Sequence, residues 1–556
     1  MTNSKTELID LQTYKPPSPR ENFVNIYEPV PRKSGAVDFD IYDYDMLFND
    51  EYVKKIIREG LTIGCFYIES PGMRSLLKKL ECDTFEMLTA ASSVIRPGVA
   101  ESGMMQEFIA RHKDPSRRKY LIPEMEKYLS ETYGVMIYQE DVIKIVHHVV
   151  GLSLEEADLL RRAMSGKMRS HKAMQIIYKN FFAGCKKNGF SDKITKALWH
   201  QIESFAGYAF CKAHSASFAL LSYQVAYLKV HYPAEFMASV LNNQGGYYSA
   251  AVYIWECKRI GLQVLLPCIN NSNYEYDGSE RTVRVGLLAV KSLNKNVIDK
   301  IVSERNENGK YLSLPEFIVR TKAGYEQTKL LIRCGAMDCF SKTRPTLLRQ
   351  IDIYYNQKKI LDDNYNSLFM NESILLEKEV ETDVQFTLEE ICLAEYETFD
   401  YMLTAHPLHF FKDLIENHKA VFANELNKHH GKWIKMVGWY MTSKRISTKK
   451  GEIMKFLSLE DLTGTFEAVI FPKIYEKYAE LTMSMGPYLV EGTADTEGGN
   501  NIIVKKMSVL SADEIKSITQ KESNDNRFFG DVEKPVMDEE LLITSLGREN
   551  LMKAYI

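Results

Sequence analysis

The chain has 556 residues, 45% of them hydrophobic, with 70 Lys and Arg against 74 Asp and Glu for a net charge of −4. That length is several times the usual domain and the apolar content can fill several cores, which excludes a single compact unit and a disordered chain. The near-neutral balance excludes attraction to nucleic acid through a global field, so affinity of that kind has to come from local basic patches.

The nine cysteines form no Cys-x-x-Cys pair, and the closest two, Cys334 and Cys339, lack a second ligand pair at zinc spacing. Free thiols in a reducing cytoplasm are expected. The polar start Met1-Thr-Asn-Ser-Lys-Thr-Glu carries no signal peptide, and no apolar run is long enough to span a bilayer, so no membrane partner is expected.

Residues 1–45 read as a loose leader and linker, rich at first in Pro, Lys and Asn. Within them Asp38-Phe-Asp-Ile-Tyr-Asp-Tyr-Asp45 imitates a strand bearing a metal-binding Asp-x-Asp, but a polar, partly exposed strand or loop without a metal is the better reading. Residues 46–245 read as a helical domain. Apolar residues recur at three and four in Glu124–Glu131, Gln139–Val150 and Ala216–Val230, and Pro233 ends the last of these.

The most informative stretch runs from Leu154 to Arg169. Ser153 can cap a helix with Glu156 answering it, and Leu154, Ala157, Leu160 and Met164 then share one face. Ser165-Gly166 is a stop, so Arg161, Arg162, Lys167 and Arg169 crowd the helix end and the turn beyond it. No Asp or Glu occurs between Arg161 and Asn180. Two readings stand: cations complementing a helix dipole, or an unneutralised cluster awaiting a triphosphate or nucleic-acid backbone. Further on, Lys212 and His214 lie amid small residues in Cys211-Lys-Ala-His-Ser-Ala-Ser-Phe218, which leaves room for a ligand. The other reading is a plain helix start, with Ser215 or Ser217 as cap and His214 an exposed imidazole.

Residues 246–340 form a third region, with Lys291, Lys295 and Lys300 as candidate phosphate contacts or as parts of a packed helical scaffold. Residues 341–430 are a charged, mostly helical connector containing Tyr365-Asn-Ser-Leu-Phe369. Residues 431–510 switch to five alternating strands, Trp433–Met441, Ile453–Leu459, Phe466–Phe471, Tyr488–Thr493 and Asn501–Met507, separated by Gly-bearing turns. Five such strands predict an OB-fold barrel. Barrels of this kind bind single strands on exposed aromatics beside basic loops, which makes Lys444, Arg445, Lys449 and Lys450 the candidate charges and Trp439, Tyr440 and Phe456 the candidate platforms. The polar tail, 511–556, is assigned no role.

Several long strings resemble one family. Glu131-Thr-Tyr-Gly-Val-Met-Ile-Tyr-Gln-Glu140, Arg161 and Arg162 in Glu-Ala-Asp-Leu-Leu-Arg-Arg-Ala-Met, Phe205-Ala-Gly-Tyr208, Ser222-Tyr-Gln224 and His231-Tyr-Pro-Ala-Glu-Phe236 are similar to the bacterial replicative DNA polymerase III alpha subunit. So are Gly64-Cys-Phe-Tyr-Ile-Glu-Ser-Pro-Gly-Met-Arg74 and Ile95-Arg-Pro-Gly98. The resemblance runs from about 45 to about 510. It implies polymerase fingers over 46–245, with Arg161, Arg162, Lys167, Arg169, Lys212 and His214 meeting the incoming dNTP. One departure is Cys211, where the family usually carries Asn or Ser. It further implies a helix-hairpin-helix grip on duplex DNA over 246–340, although Ser292-Leu-Asn294 replaces the expected Gly-x-Gly turn. The implied clamp-binding peptide ends in Leu368 and Phe369, with Tyr365 where the family places Gln.

The predicted fold is therefore multidomain α+β: helical fingers and a helix-hairpin-helix region, then a five-stranded barrel. The resemblance implies a DNA-directed DNA polymerase whose Mg2+ ions are held by palm carboxylates N-terminal to everything matched, so no catalytic residue or metal ligand is assigned here. Expected partners are dNTP, template-primer DNA, a palm-bearing half, a sliding clamp and other replisome subunits, and the isolated chain is expected to be inactive. The alternative is a non-catalytic DNA-binding accessory protein that uses the barrel and helical modules alone.

Overall fold

The structure, a computed structural model, describes residues 39–96, 103–164, 171–206, 210–363, 384–448, 450–497 and 499–510. The described residues divide into two units, one of residues between 39 and 231 together with 497 and 499, the other of residues between 232 and 496 together with 500–510. No helix among the described residues is long and apolar enough to cross a membrane.

Among the described residues the first unit is helical apart from one isolated bridge between Tyr138 and Phe210. Helices α1 (Tyr44–Asn49) and α2 (Glu51–Arg58) are capped by Asp43 and Asp50, whose carboxylates accept from Met46 N and Val53 N. Then follow α3 (Pro71–Lys79), α4 (Phe85–Val94), α5 (Met104–Lys113) and the short α6 (Glu126–Leu129). The stretch expected as one helix from Gln139 to Val150 is α7 (Gln139–Lys144) running into a π-helical turn over Ile145–Val150. Helices α8 (Leu154–Met164), α9 (His171–Lys187) and α10 (Asp192–Ala206) enclose a core of Val142, Val146, Ala157, Leu160, Phe181, Leu198 and Ile202. Helix α11 (Lys212–His231) is apolar on most sides because it lies inside the unit. Its Ser215 meets Ser93 of α4, Oγ to Oγ at 2.7 Å. Near its other end Lys229, buried, gives its ammonium to the carbonyls of Leu61 and Ile63 at 3.0 and 2.7 Å.

The second unit opens with α12 (Pro233–Asn243), so Pro233 stands at a helix start, where its missing N–H costs nothing. Helix α13 (Ala250–Arg259) leads to a three-stranded sheet of order β1–β3–β2, from β1 (Gln263–Leu265), β2 (Asp277–Ser279) and β3 (Thr282–Arg284). Helices α14 (Lys295–Asn308), α15 (Leu314–Thr321), α16 (Tyr325–Arg333) and α17 (Arg344–Asp363) follow, then α18 (Leu388–Phe399) and α19 (Lys412–Asn417).

The five expected strands are all present: β4 (Trp433–Ser447), β5 (Ile453–Glu460), β6 (Thr465–Ile470), β7 (Tyr488–Asp495) and β8 (Asn501–Val509). They close in the order β4–β5–β6–β8–β7. All pairings are antiparallel except β6 with β8, and helix α20 (Pro472–Tyr478) lies between β6 and β7 in sequence, which is OB-fold topology. Strand β4 serves two neighbours: residues 433–438 pair with β7 and 439–447 with β5. The turning point is Gly438, where an added Cβ would come within 2.7 Å of Leu459 Cβ and Phe466 Cζ. The barrel is filled by Ile434, Met436, Leu457, Leu459, Phe466, Val490 and Ile502, residues that alternate along each strand.

Candidate functional site

The start of α8 forms as a capping box. Ser153 N donates to Glu156 Oε2 at 3.0 Å and Glu156 N to Ser153 Oγ at 3.1 Å, a cap worth about 1 kcal/mol. Ala157 and Leu160 are buried, whereas Leu154, expected on the same face, is exposed at the first helical position, before the helix meets its neighbours. At the other end Asp158 answers both arginines. Arg161 Nε donates to Asp158 Oδ1 at 2.9 Å, and Arg162 Nε lies 2.7 Å from Oδ2. The two guanidiniums hold that carboxyl below the usual carboxylate range, chiefly through the Arg161 hydrogen bond. The first two cations of the run are thus partly neutralised by an acid one turn upstream, a correction to the picture of an unanswered cluster. Arg162 remains 62% exposed, and Arg161 reaches on to Gln139 Oε1 at 2.8 Å.

Gln139 is the hub of the site. Its backbone N–H donates to Phe210 O at 2.9 Å, and Tyr138 bridges Phe210, so the segment preceding α11 is tied to the segment that opens α7. One residue on, Glu140 receives the backbone N–H of Lys212 at 3.0 and 3.2 Å, and Cys211 Sγ lies 3.6 Å from Oε1. The α11 N-terminus is therefore capped by a carboxylate 72 residues away, which corrects the expectation of Ser215 or Ser217 as cap. Ser215 is bonded to Ser93, and Ser217 Oγ donates back to Ala213 O. The Lys212 ammonium sits 2.7 Å from both oxygens of Glu131 and 5.3 Å from the Tyr138 ring.

His214 is exposed, with its ring 5.0 Å from Phe210 and 4.4 Å from Phe218. Across Phe210 stands a further cation, absent from the candidates read from the sequence. The Arg96 guanidinium carbon lies 3.4 Å from the Phe210 centroid, and Arg96 Nη2 donates to Tyr67 OH at 2.9 Å. Tyr67 in turn lies 5.0 Å from Phe218. Arg96 Nε is buried with no hydrogen-bond partner. Arg161, Arg96, Lys212 and His214, far apart in sequence, thus meet around residues 138–140 and Phe210. Arg96 and Tyr67 sit in the quoted strings Ile95-Arg-Pro-Gly98 and Gly64–Arg74, a signal the charge count alone did not use. Lys167 and Arg169 lie outside the described residues, as do Gly207 and Tyr208 of the Phe205–Tyr208 string.

The second unit places the remaining candidates. At the hairpin turn Ser292 takes a left-handed backbone, φ 62°, as a glycine would. Gln327 Oε1 accepts the Asn294 N–H at 2.6 Å and its Nε2 donates to Ser292 O at 3.1 Å, so backbone groups that would face a phosphate in a bare hairpin are already engaged. Lys291 is ion-paired with Asp400 and donates its backbone N–H to Thr398 O, which favours its scaffold reading. Lys295 and Lys300 are exposed on α14.

In the barrel Lys444, Arg445 and Lys450 are exposed on the β4–β5 hairpin, and Phe456, half-buried, pairs with Lys444 across the ladder. Tyr440 is half-buried against the barrel core. Trp439 is not a platform. It is 6% exposed and packs outside the barrel beneath Phe410, Phe411 and Leu414 of the connector, a layer that strand alternation cannot reveal. Lys449, Leu368 and Phe369 lie outside the described residues.

The carboxylates at 40–45 do not fit a divalent-metal site. Asp40 Oδ1 accepts Tyr42 N, Asp43 Oδ1 accepts Met46 N, and Asp45 is in α1, so residues 39–43 are the loop expected, closed by a turn, and the departure is the helix that starts at Tyr44. Among the described residues no three His, Cys, Asp or Glu side chains converge on one point.

Comparison with known proteins agrees with this layout. Residues 30–189 match the bacterial DNA polymerase III alpha subunit finger domain, and 261–347 match a helix-hairpin-helix motif. The chain is 34% identical over 476 residues to the DNA polymerase III subunit alpha of Staphylococcus aureus (strain MSSA476), covering 84% of this chain and 43% of that protein. It is 33% identical over 466 residues to the subunit of the same name from Staphylococcus epidermidis, covering 82% and 42% respectively. The chain thus spans less than half the length of these relatives. Over these regions the chain is similar to DNA polymerase III subunits alpha, and its five-stranded barrel follows the matched helix-hairpin-helix motif in sequence.

Proposed function

We propose that this chain is the fingers-to-barrel portion of a replicative DNA polymerase in the cytoplasm, selecting the incoming dNTP and holding template-primer DNA. The metal-holding carboxylates come from a palm-bearing half. The observation that carries the reading is the convergence of Arg161, Arg96, Lys212 and His214 on residues 138–140 and Phe210. Arg161 and Arg162, with Lys167 and Arg169 beyond them, meet the triphosphate. Lys212 exchanges Glu131 for a phosphate oxygen, since a half-exposed ion pair of this kind is worth under about 1 kcal/mol and gives way readily. Phe210, His214 and Phe218 offer ring faces to the base or sugar. Lys295, Lys300, Lys444, Arg445, Lys449 and Lys450 track the DNA backbone, and Leu368-Phe369 docks a sliding clamp.

Mg2+ supplies the chemistry of bond formation in the complete enzyme, at the palm. The test is primer extension by this chain with and without a palm-bearing polypeptide of the same polymerase. Extension is expected only with both, and Arg161→Ala is expected to lower kcat/KM for dNTP about 10- to 150-fold, the equivalent of a charge-assisted phosphate contact of about 1.5–3 kcal/mol. Extension by the isolated chain, or an Arg161→Ala enzyme with unchanged kcat/KM, overturns the assignment. Single-strand binding that persists while no palm-bearing partner restores extension would favour the accessory-protein reading, which the exposed basic hairpin of the barrel alone supports.

A further inference from the structure

Two cysteines that no part of the polymerase reading uses stand against each other in the second unit. Cys268 follows Pro267 at the end of the β1 segment, and Cys339 lies in the 3-10 turn Asp338–Phe340, 71 residues on. The two thiols interact side chain to side chain. The segments are pinned together on either side, by Ile269 N to Ala336 O at 2.9 Å and by Asn270 Nδ2 to Cys339 Sγ at 3.5 Å. Seven of the nine cysteines are buried and Cys211 is half-exposed, whereas Cys339 is exposed beside Cys268, which keeps 8% of its surface in solvent.

The surroundings favour a thiolate at Cys268. Besides Cys339, the neighbouring backbone amides of Asn270 and Asn271 and the positive charge of Arg284 favour the charged form. Together, with the Cys339 interaction first, they outweigh burial and pull the Cys268 thiol below the ordinary cysteine value. Cys339 is pushed upward by its interaction with Cys268 and by burial. A thiol of that kind is the nucleophile and an adjacent exposed thiol is its resolving partner.

We infer that Cys268 and Cys339 form a reversible disulfide with a peroxide as oxidant, making the helix-hairpin-helix region a redox-modifiable site. The Cys268 thiolate attacks one peroxide oxygen, the O–O bond breaks, and hydroxide leaves to take a proton as water. Cys339 Sγ, losing its proton, then attacks the Cys268 sulfur of the sulfenic acid. The S–S bond forms and the second water departs. The two sulfurs give up two electrons in all, which reduce one peroxide to two waters.

The bond staples residues 268–273 to the turn that follows α16. That segment already anchors α14, because Arg305 donates to Ile269 O at 3.0 Å and Ser272 O at 2.7 Å. Oxidation therefore stiffens the support of the helix that carries Lys295 and Lys300.

The experiment is a non-reducing peptide map of the full chain after one equivalent of hydrogen peroxide. The expected product is a linked pair of peptides containing Cys268 and Cys339, formed before any adduct at Cys211 and undone by dithiothreitol. In Cys339→Ser the link is lost and dimedone labels Cys268 instead. A folded parent that gives no such link, or that oxidises Cys211 as fast, overturns the proposal. So does a Cys339→Ser chain whose Cys268 takes up no dimedone.

Discussion

Arg259 Nη1 lies 2.6 Å from Glu460 Oε2, and both side chains are almost wholly out of solvent. Arg259 ends α13 and Glu460 ends β5, so one buried ion pair fastens the helical region to the barrel within the second unit. Glu256 joins at 3.1 Å and His406 Nε2 faces Glu460 at 3.5 Å. Burial works against the Glu460 carboxylate, but Arg259 and His406 outweigh it and hold its pKa below the ordinary glutamate value.

Arg259→Met should therefore destabilise this unit by about 3–5 kcal/mol, because it strands two buried carboxylates. Replacing Glu256 and Glu460 by Gln in the same chain should recover much of the loss. Urea unfolding followed through Trp fluorescence measures both. Since the folded Glu460 pKa is depressed, its contribution is complete above about 4.3 and disappears as pH falls through the folded value. A Glu460→Gln chain should lose the corresponding part of its acid sensitivity.

Asp141 behaves in the opposite sense. Burial lifts its carboxyl to about 7, although Oδ2 accepts the backbone N–H groups of Ile137 and Tyr138 at 3.0 Å each. Between about 3.9, the unfolded value, and that folded value the unfolded chain has released a proton that the folded chain keeps. The contribution of Asp141 is full below about pH 4 and falls as pH rises towards 7, by up to about 1.4 kcal/mol per pH unit. Asp141→Asn keeps an oxygen for both amides and carries no charge. It should match the parent near pH 4 and exceed it at pH 8, as read by denaturant midpoints across that range.

Ser292 occupies a left-handed conformation at φ 62°, which costs an L-residue about 1–2 kcal/mol relative to glycine. Ser292→Gly should raise stability by about 1 kcal/mol or less, the entropy of the freer unfolded chain offsetting part of the relief. A midpoint shift measured in the Gln327→Ala background as well would show whether Gln327 enforces the turn.

For the barrel, replacing Lys444 and Arg445 together by Ala should weaken binding of a single-stranded oligonucleotide and make the slope of log K against log salt shallower by about 1.4. Trp439→Phe should leave that affinity unchanged while lowering stability, because Trp439 is packed under Phe410 and Phe411. Fluorescence anisotropy at several salt concentrations separates the two effects.

Much of this was legible beforehand where the determinant is local. The capping box at Ser153 and Glu156, and the five barrel strands, depend on residues a few positions apart, and period and cap chemistry report them directly. What could not be read is set across long separations. Glu140 takes the capping place offered to Ser215 and Ser217 because the fold brings it to the start of α11. Trp439 fails as a base platform because the connector covers the outer face of β4, so both faces of that strand are apolar. The acid-free run starts at Arg161, but helical geometry lets Asp158 look forward one turn and answer it.

Gly438 leaves the barrel no slack. Hydrogen-bonded all the way round, the five strands expose no lateral edge that another chain could extend. Even a methyl group at the corner of β4 would collide with Leu459 and Phe466. Descendants of this barrel can therefore diversify chiefly in their hairpins. The reach and charge of the tip between Ser447 and Ile453 are where new specificities can accumulate without disturbing the staves beneath.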